Sequence, residues 1–542
     1  MQDARSAQAR SGSLRPYWIA AAIYVLMLGV LLLQAWHIDR LQQLYAVDDA
    51  YIHLAMAKNL LTHHVFGVTP FGFTGASSSV VWPFLLAALG VVFGLHVWLP
   101  FALNVALSLL LLWLAQRWLW RMGVVSERLR IAALVSIAVL TPLSGLTSLG
   151  LEHVLESITA LGLLVAAAEV LDGSRDTKSV LPLIVWAAVA TSSRYEIAFE
   201  IACICALLAW RRRVGLAAAV AGAGFLPILA FGIFSMSHPG SHFFPNSLLL
   251  KTAPASTALS DRIVPVLQNL KYAAKHLLPV GWAVVLGLSI ASIRARGAMR
   301  GAAAAGIITV GLSVLHTLFS RMGQLGRYES YLVVLTIFSM FVLLEECRGT
   351  LRVLQSKKIA GWLVACGVLA LVPRAAVIVA TNADAVQSIF LQQYQMAKFF
   401  AANYPDTPIA VNDVGAVSYF HDGPMLDLFG LTSSTVLNLK LAHAYDTNAI
   451  RQLAAEQGVK VAAVYVEWFQ GAEALPPEWT YAGSLTPKCP SRHATVGGFT
   501  IAFYAVHPED AKELRAKLAA YSALLPSGTK VGQDPWTRAC TA

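Results

Sequence analysis

Apolar runs long enough to cross a bilayer recur through the first 380 residues, near 17–36, 98–119, 131–149, 154–171, 180–193, 197–210, 214–236, 279–293, 302–319, 328–346 and 359–380. A hydrocarbon core about 30 Å thick takes roughly 20 apolar residues per helix. Inside lipid every backbone polar group has to be satisfied internally, so runs of this length specify helices. About eleven spans follow. The composition agrees, with 57% hydrophobic and 13% charged residues and a mean hydropathy of +0.61, far from soluble averages. The chain reads as a polytopic α-helical membrane protein. Its formal charge of +10 does not signal a nucleic-acid partner, because the basic residues fall in short clusters between apolar runs.

Those clusters orient the chain. They are Arg117, Arg121, Arg128 and Arg130; Arg175 and Lys178; Arg211 to Arg213; Arg294, Arg296 and Arg300; and Arg348, Arg352, Lys357 and Lys358. With the N-terminus inside, all lie on the cytoplasmic side, as the positive-inside rule requires. Arg5, Arg10 and Arg15 precede a run of span length, Tyr17 to Trp36, with no small-residue cleavage site after it, so an uncleaved first helix is expected. The run Ser79 to Trp98 would invert every later loop if it crossed. With Pro83, Gly90 and Gly94 inside it, it is expected to lie along or dip into the outer leaflet, within a first outer loop at about 37–97.

An odd number of crossings places residues 381–542 outside, in the periplasm of a bacterium whose inner membrane holds residues 1–380. Helical patterns (Gln387 to Asn403, Ala449 to Gln457, Glu509 to Leu525) alternate there with β-rich runs (Pro408 to Asn412, Val459 to Val466, Gly498 to Val506), which predicts a small extracytoplasmic α/β domain. Cys489 and Cys540 are its two cysteines and a plausible disulfide in an oxidising compartment. No internal repeat, low-complexity tract or Cys/His metal spacing is visible.

On this topology the awkward polar residues gather on one face. They are Asp48 and Asp49; Glu152 and His153; Arg194 and Glu196; Asn246 and Lys251; and Arg321, Arg327, Tyr328 and Glu329. A mixed acidic and basic cluster at a membrane face under a soluble domain is a candidate active site. Each member also has an ordinary reading. Asp48 would cap a helix starting at Ala50, and Asp49 would favour its positive end. Glu152 and His153 would make a polar turn, Arg194 and Glu196 would neutralise each other, and Lys251 would snorkel. Arg327, at an outer span end, needs an anionic partner, either Glu329 or a phosphate. The aromatic, Gly-rich loop from Phe66 to Ser79 fits sugar stacking or, more often, packing at headgroup level.

Asp48-Asp49-Ala50-Tyr51-Ile52 with a following Ala57-Lys58-Asn59-Leu60, Gly150-Leu151-Glu152, Arg194-Tyr195-Glu196 and Pro245-Asn246-Ser247 with Lys251 occur in the order found in GT-C glycosyltransferases. Asn412-Asp413-Val414-Gly415-Ala416 and Asp427-Leu428-Phe429-Gly430-Leu431 extend the pattern to about residue 440. The chain resembles that superfamily, and within it the bacterial arabinofuranosyltransferase-like members. His153 and Tyr195 depart from the usual Thr and Pro.

The resemblance implies inverting transfer of a sugar, with a pentofuranose such as arabinofuranose among the candidates, from a polyprenyl-phosphate donor to a glycan, lipid or protein hydroxyl. Asp48 or Asp49 would be the general base, with Asp48, which leads the motif, the first choice. Lys251 and Arg327, with Arg194 behind, would hold the leaving phosphate. Glu152, His153, Glu196, Asn246 and Tyr328 would contact sugar or acceptor. No cofactor is required, although a carboxylate pair near a phosphate permits Mg²⁺ or Ca²⁺. The competing class, a transporter or lipid flippase with a glycan-binding outer domain, would carry inverted repeats and matched broken helices, which the sequence lacks.

Overall fold

The structure is a computed structural model that describes residues 13–173, 177–252, 259–350, 354–487 and 497–534. Cys489, Cys540, Arg5, Arg10, Arg175 and Arg352 lie outside the described residues, as do the side chains of Lys178 and Lys251.

Helix occupies every expected span. In chain order the helices are α1 (Arg15–Asp39), α2 (Asp49–Thr62), α3 (Val81–Phe93), α4 (Leu99–Arg121), α5 (Glu127–Leu140), α6 (His153–Leu171), α7 (Thr177–Ser193), α8 (Ala198–Trp210) and α9 (Val214–Met236). They continue as α10 (Asn246–Thr252), α11 (Leu259–Lys275), α12 (Leu278–Arg296), α13 (Gly301–Phe319), α14 (Ser330–Thr350), α15 (Leu354–Ala370), α16 (Val372–Ile389) and α17 (Gln395–Asn403). Eight segments among the described residues are long and apolar enough to cross a membrane: α1, α4, α6, α9, α12, α13, α14 and the run Gln355–Asn403. Helices α5, α7 and α8, with 14, 17 and 13 residues, are shorter. The count of about eleven depends on them.

Burial sorts the spans. In α6 and α14 89% of the most apolar stretch is buried, as at a bundle centre, whereas in α1 and α9 33% is, which leaves one flank of each exposed for lipid. Helix α3, in the anomalous run, has 13 residues. At 1.5 Å per residue it reaches about 20 Å, short of the hydrocarbon core, as does the 13-residue α8. Helix α3 packs on α2 through Trp82, Leu86 and Ala57.

No break marks residue 380. Helix α16 continues through a π-turn at Phe390–Tyr394 into α17, carrying the chain from the bundle to a six-stranded sheet of order β2-β1-β3-β5-β4-β6. The strands are β1 (Ile409–Val411), β2 (Met425–Asp427), β3 (Val461–Tyr465), β4 (Thr480–Pro487), β5 (Ile501–Ala505) and β6 (Thr529–Gly532). Strands β1, β2 and β3 run parallel; β5, β4 and β6 are antiparallel additions. One sheet face is closed by Phe399 and Phe400 of α17 against Phe503, the other by Leu426, Val436, Ile450, Val464 and Trp479. The expected α/β layer is present, with β2, β4 and β6 as strands that weak alternation had hidden.

Candidate active site

A cavity of about 340 Å³ lies where the bundle meets the C-terminal sheet. Asp49, His53, Ser78, Glu152, His153, Arg194, Ser247, Arg321, Gln324, Arg327 and Tyr328 line its bundle wall, and Asn412, Asp413, Phe429 and Trp468 come from the C-terminal domain. Residues more than 350 positions apart in sequence therefore share one space.

The two neighbouring aspartates have separate fates. Asp49 begins α2 and its side chain is 43% exposed; its Oδ2 accepts from Arg327 Nη1 at 2.6 Å. Asp48 is 7% exposed and does not line the cavity. It makes no side-chain cap bond to α2, and Oδ1 instead accepts from the backbone N–H of Ala416 at 2.8 Å, tying the first loop to the C-terminal domain. Burial raises its carboxyl well above the usual range, and the neighbouring charge of Asp413 adds to the effect. The structure therefore places Asp49 at the cavity and Asp48 behind it, at the junction with the C-terminal domain.

Arg327 was expected to pair with Glu329 or a phosphate. The structure gives it Asp49, because Glu329 is taken: it is fully buried and accepts from Arg374 Nη2 at 2.9 Å, Tyr272 Oη at 2.8 Å and Gly323 N at 2.9 Å. Burial alone would lower the affinity of Arg327 for its proton, but Tyr328 and Asp49 outweigh it and hold the guanidinium charged. Its plane also lies over the Tyr328 ring at 4.9 Å.

Arg194 is equally committed. Its Nη1 donates to Glu152 at 2.7 Å and Nη2 to Glu196 at 2.6 Å, and Nε lies 3.5 Å from Glu156. This guanidinium contacts three carboxyl groups and holds Glu152 at the cavity wall, which both residues line. Burial would raise the Glu152 carboxyl, but Arg194 and His53 hold it below the usual range. Ser78 Oγ donates to the same Oε1 at 3.1 Å. His53 Nε2 is 3.7 Å from Oε2, and burial lowers the affinity of that imidazole for a proton. Gly150 makes the approach possible: it has φ +68°, and a Cβ there would sit 2.4 Å from the Tyr45 ring.

The remaining expected residues divide. His153 and Tyr328 line the cavity, and His153 Nδ1 lies 3.1 Å from Glu156 Oε2. Glu196 and Asn246 do not line it; Glu196 sits behind Arg194, and Asn246 starts α10 with its N–H on Gly75 O at 2.8 Å, leaving Ser247 to face the space. Lys251 belongs to the same helix, its side chain outside the described residues. The aromatic loop packs at the end of α9, with Phe66 5.4 Å from Phe231 and Phe73 4.3 Å from His238 between ring centres. Phe66 and Phe73 are thus engaged in packing against α9 and the residues that follow it.

His53, Gln324 and Trp468 were not among the expected site residues, and Asp413 and Phe429 entered only as members of motifs. His53 stands four residues after Asp49 on one helix face, the spacing that could have found it. Mg²⁺ or Ca²⁺ would need several converging oxygen ligands. Among the described residues no three His, Cys, Asp or Glu side chains converge in that way, and Asp49 is already bound to a guanidinium. The residues do not form a cation cage.

Comparison with solved structures identifies the fold. ArnT from Cupriavidus metallidurans matches with a TM-score of 0.53 in the apo state, at 15% identity over 90% of this chain and 99% of that one. The same protein bound to undecaprenyl phosphate gives 0.52, at 13% identity over 89% and 98%. An oligosaccharyltransferase from Archaeoglobus fulgidus gives 0.52, at 14% identity over 91% and 73%. The chain shares the fold of these proteins, a polytopic helical membrane bundle followed by a C-terminal sheet domain. More particularly, residues 387–504 match the model of a domain of unknown function, DUF8728. No curated protein matches the sequence.

Proposed function

We propose that this protein is an inverting glycosyltransferase that moves a sugar from a polyprenyl-phosphate donor to an acceptor hydroxyl at the outer face of a bacterial inner membrane. In this reading residues 1–380 form the catalytic membrane domain, with the N-terminus cytoplasmic, and residues 381–542 the periplasmic domain. One observation carries it: Asp49, 43% exposed beside a cavity under a second domain, is held at 2.6 Å by the guanidinium of Arg327. An exposed carboxylate paired with a fixed cation suits a transfer in which a proton is taken and an anion is left behind.

The acceptor oxygen attacks the anomeric carbon on the face opposite the phosphate. The carbon–oxygen bond to phosphate breaks, and the phosphate leaves with the bonding electrons. The hydroxyl proton passes to Asp49. Once neutral, Asp49 no longer balances Arg327, whose charge becomes available to the new phosphate oxyanion just as that anion forms. Arg321 and Lys251 are the other cations assigned to the phosphate. Glu152, held by Arg194 with Glu196 behind, orients sugar hydroxyls together with His153, Tyr328 and Ser247, and Asn246 anchors the helix that carries Ser247. Undecaprenyl phosphate bound to a protein of the same fold supports the lipid donor. A pentofuranose such as arabinofuranose is the first donor sugar to assay, on the sequence resemblance.

Mass spectrometry of surface glycans, glycolipids and glycoproteins from a deletion strain tests this reading. Loss of one sugar type, restored by the wild-type gene, is expected. An unchanged surface profile contradicts it.

A further inference from the structure

The C-terminal domain brings more than a roof to the cavity. Its three parallel strands end there: Asn412 and Asp413 directly follow β1, Phe429 follows β2 by two residues, and Trp468 follows β3 by three. In the order β2-β1-β3 the chain leaves β1 to one side and then returns to the other, so β1 and β3 flank a topological switch point. Open α/β sheets bind ligands in the crevice outside the carboxyl ends of their strands at that point. Here the crevice opens onto the cavity that holds Asp49.

The groups at this crevice specify a ligand chemistry. Asn412 is 3% exposed; its Oδ1 accepts from Tyr465 N at 3.1 Å, and its Nδ2 has no hydrogen-bond partner among the described residues. A buried amide donor left unpaired is costly unless a ligand oxygen completes it. Trp468 is 39% exposed, and its indole N–H is spent on Gly497 O at 2.7 Å, which fixes the ring and leaves its apolar surface to offer. Phe429 supports it edge-on at 5.1 Å between ring centres. Asp413 Oδ2 accepts from Gln393 at 2.9 Å, which orients this carboxyl at the cavity wall. A fixed aromatic surface beside an amide donor and a carboxyl fits a sugar ring, apolar on its C–H face and rimmed by hydroxyls. It suits neither an acyl chain, which needs no polar partners, nor a phosphate, which a carboxylate repels.

We propose that the switch-point crevice of the C-terminal domain is the acceptor subsite and that the acceptor is a saccharide, its ring on Trp468 and its hydroxyls on Asn412 and Asp413. This rests on the transferase reading above and narrows its acceptor from glycan, lipid or protein to glycan.

The test uses the full-length chain in lipid nanodiscs and saturation-transfer-difference NMR with four probes: methyl α-arabinofuranoside, methyl α-mannopyranoside, methyl β-galactopyranoside and a Ser/Thr-containing peptide. At least one glycoside is expected to bind and the peptide not to. Trp468→Ala and Asn412→Ala should each weaken glycoside binding roughly tenfold, while Trp468→Phe, which keeps an aromatic face, should retain most of it. No bound glycoside, or unchanged binding in both alanine variants, overturns the subsite. Melting temperatures identify a variant that fails to fold, in which case the other two variants decide. The transferase reading fails separately: surface glycans unchanged on deletion, with Trp468-dependent glycoside binding intact, would leave a glycan-binding protein without transfer.

Discussion

The two walls of the cavity are built from opposite materials. On the bundle side the charged groups are locked in short ion pairs, Arg194 with Glu152 and Glu196, Arg327 with Asp49, and Arg374 with Glu329 just behind. The C-terminal wall is made of an amide, a carboxyl and aromatic rings at the ends of parallel strands. In low dielectric, fixed charges act strongly on a reacting centre and need no reorganisation, whereas aromatic and amide groups discriminate shapes. Under the proposed function this contrast gives chemistry to the bundle and recognition to the sheet domain, with the Asp48 to Ala416 hydrogen bond tying the two walls together.

The sharpest way to break this division is to neutralise the two aspartates separately. Asp49→Asn removes the proposed base and should lower sugar transfer about 10²- to 10⁴-fold. Asp48→Asn alters a buried carboxyl that does not line the cavity and still offers an oxygen to Ala416 N–H, so a loss below about tenfold is expected. Initial transfer rates in isolated membranes check both. Next, Arg194→Ala should destabilise the bundle by about 3–5 kcal/mol in thermal unfolding, because carboxylates buried around it lose their counter-charge. No change would mean that the bundle wall is not an ion-paired scaffold.

The tie between the walls can be probed without touching charge. A Cβ on Gly415 would fall 2.2 Å from Asp48 Oδ2. Gly415→Ala should therefore cost about 1–3 kcal/mol of stability, read as a lower melting temperature, with Asp49 left in place.

The smallest effect is one of pH. Burial, with a contribution from the Asp49 charge, pushes Asp413 from its ordinary 3.8 up to about 6. Between these values the folded protein holds a proton that the unfolded chain has released, so stability falls as pH rises from about 4 to about 6 and is flat in this respect above. Melting temperatures of wild type relative to Asp413→Asn should decline across that window. A rising difference would contradict the assignment.

Much of this was legible in the chain. Spans and their helices follow from apolar length, and charge bookkeeping alone singles out the run from Ser79 to Trp98, where the structure has the 13-residue helix α3. Asp49, Glu152, His153, Arg194, Arg327 and Tyr328 were found because charge at a membrane end is costly and stands out. Partners were less legible. Nothing local distinguishes Glu329 from Asp49 as the mate of Arg327, since the choice depends on Arg374 arriving from α16. The same holds for Asp48, whose bonding group lies 368 residues away. Trp468 and Phe429 were invisible as site residues because a strand order of β2-β1-β3 cannot be read from alternation.

The central claim is that Asp49 takes the acceptor proton in a transfer from polyprenyl phosphate. The most direct measurement is the level of polyprenyl-phosphate-linked sugar in lipid extracts of cells carrying the deletion, Asp49→Asn or Asp48→Asn. The unused donor is expected to accumulate in the deletion and in Asp49→Asn and to stay near the wild-type level in Asp48→Asn. Wild-type donor levels in Asp49→Asn, or accumulation confined to Asp48→Asn, would contradict it.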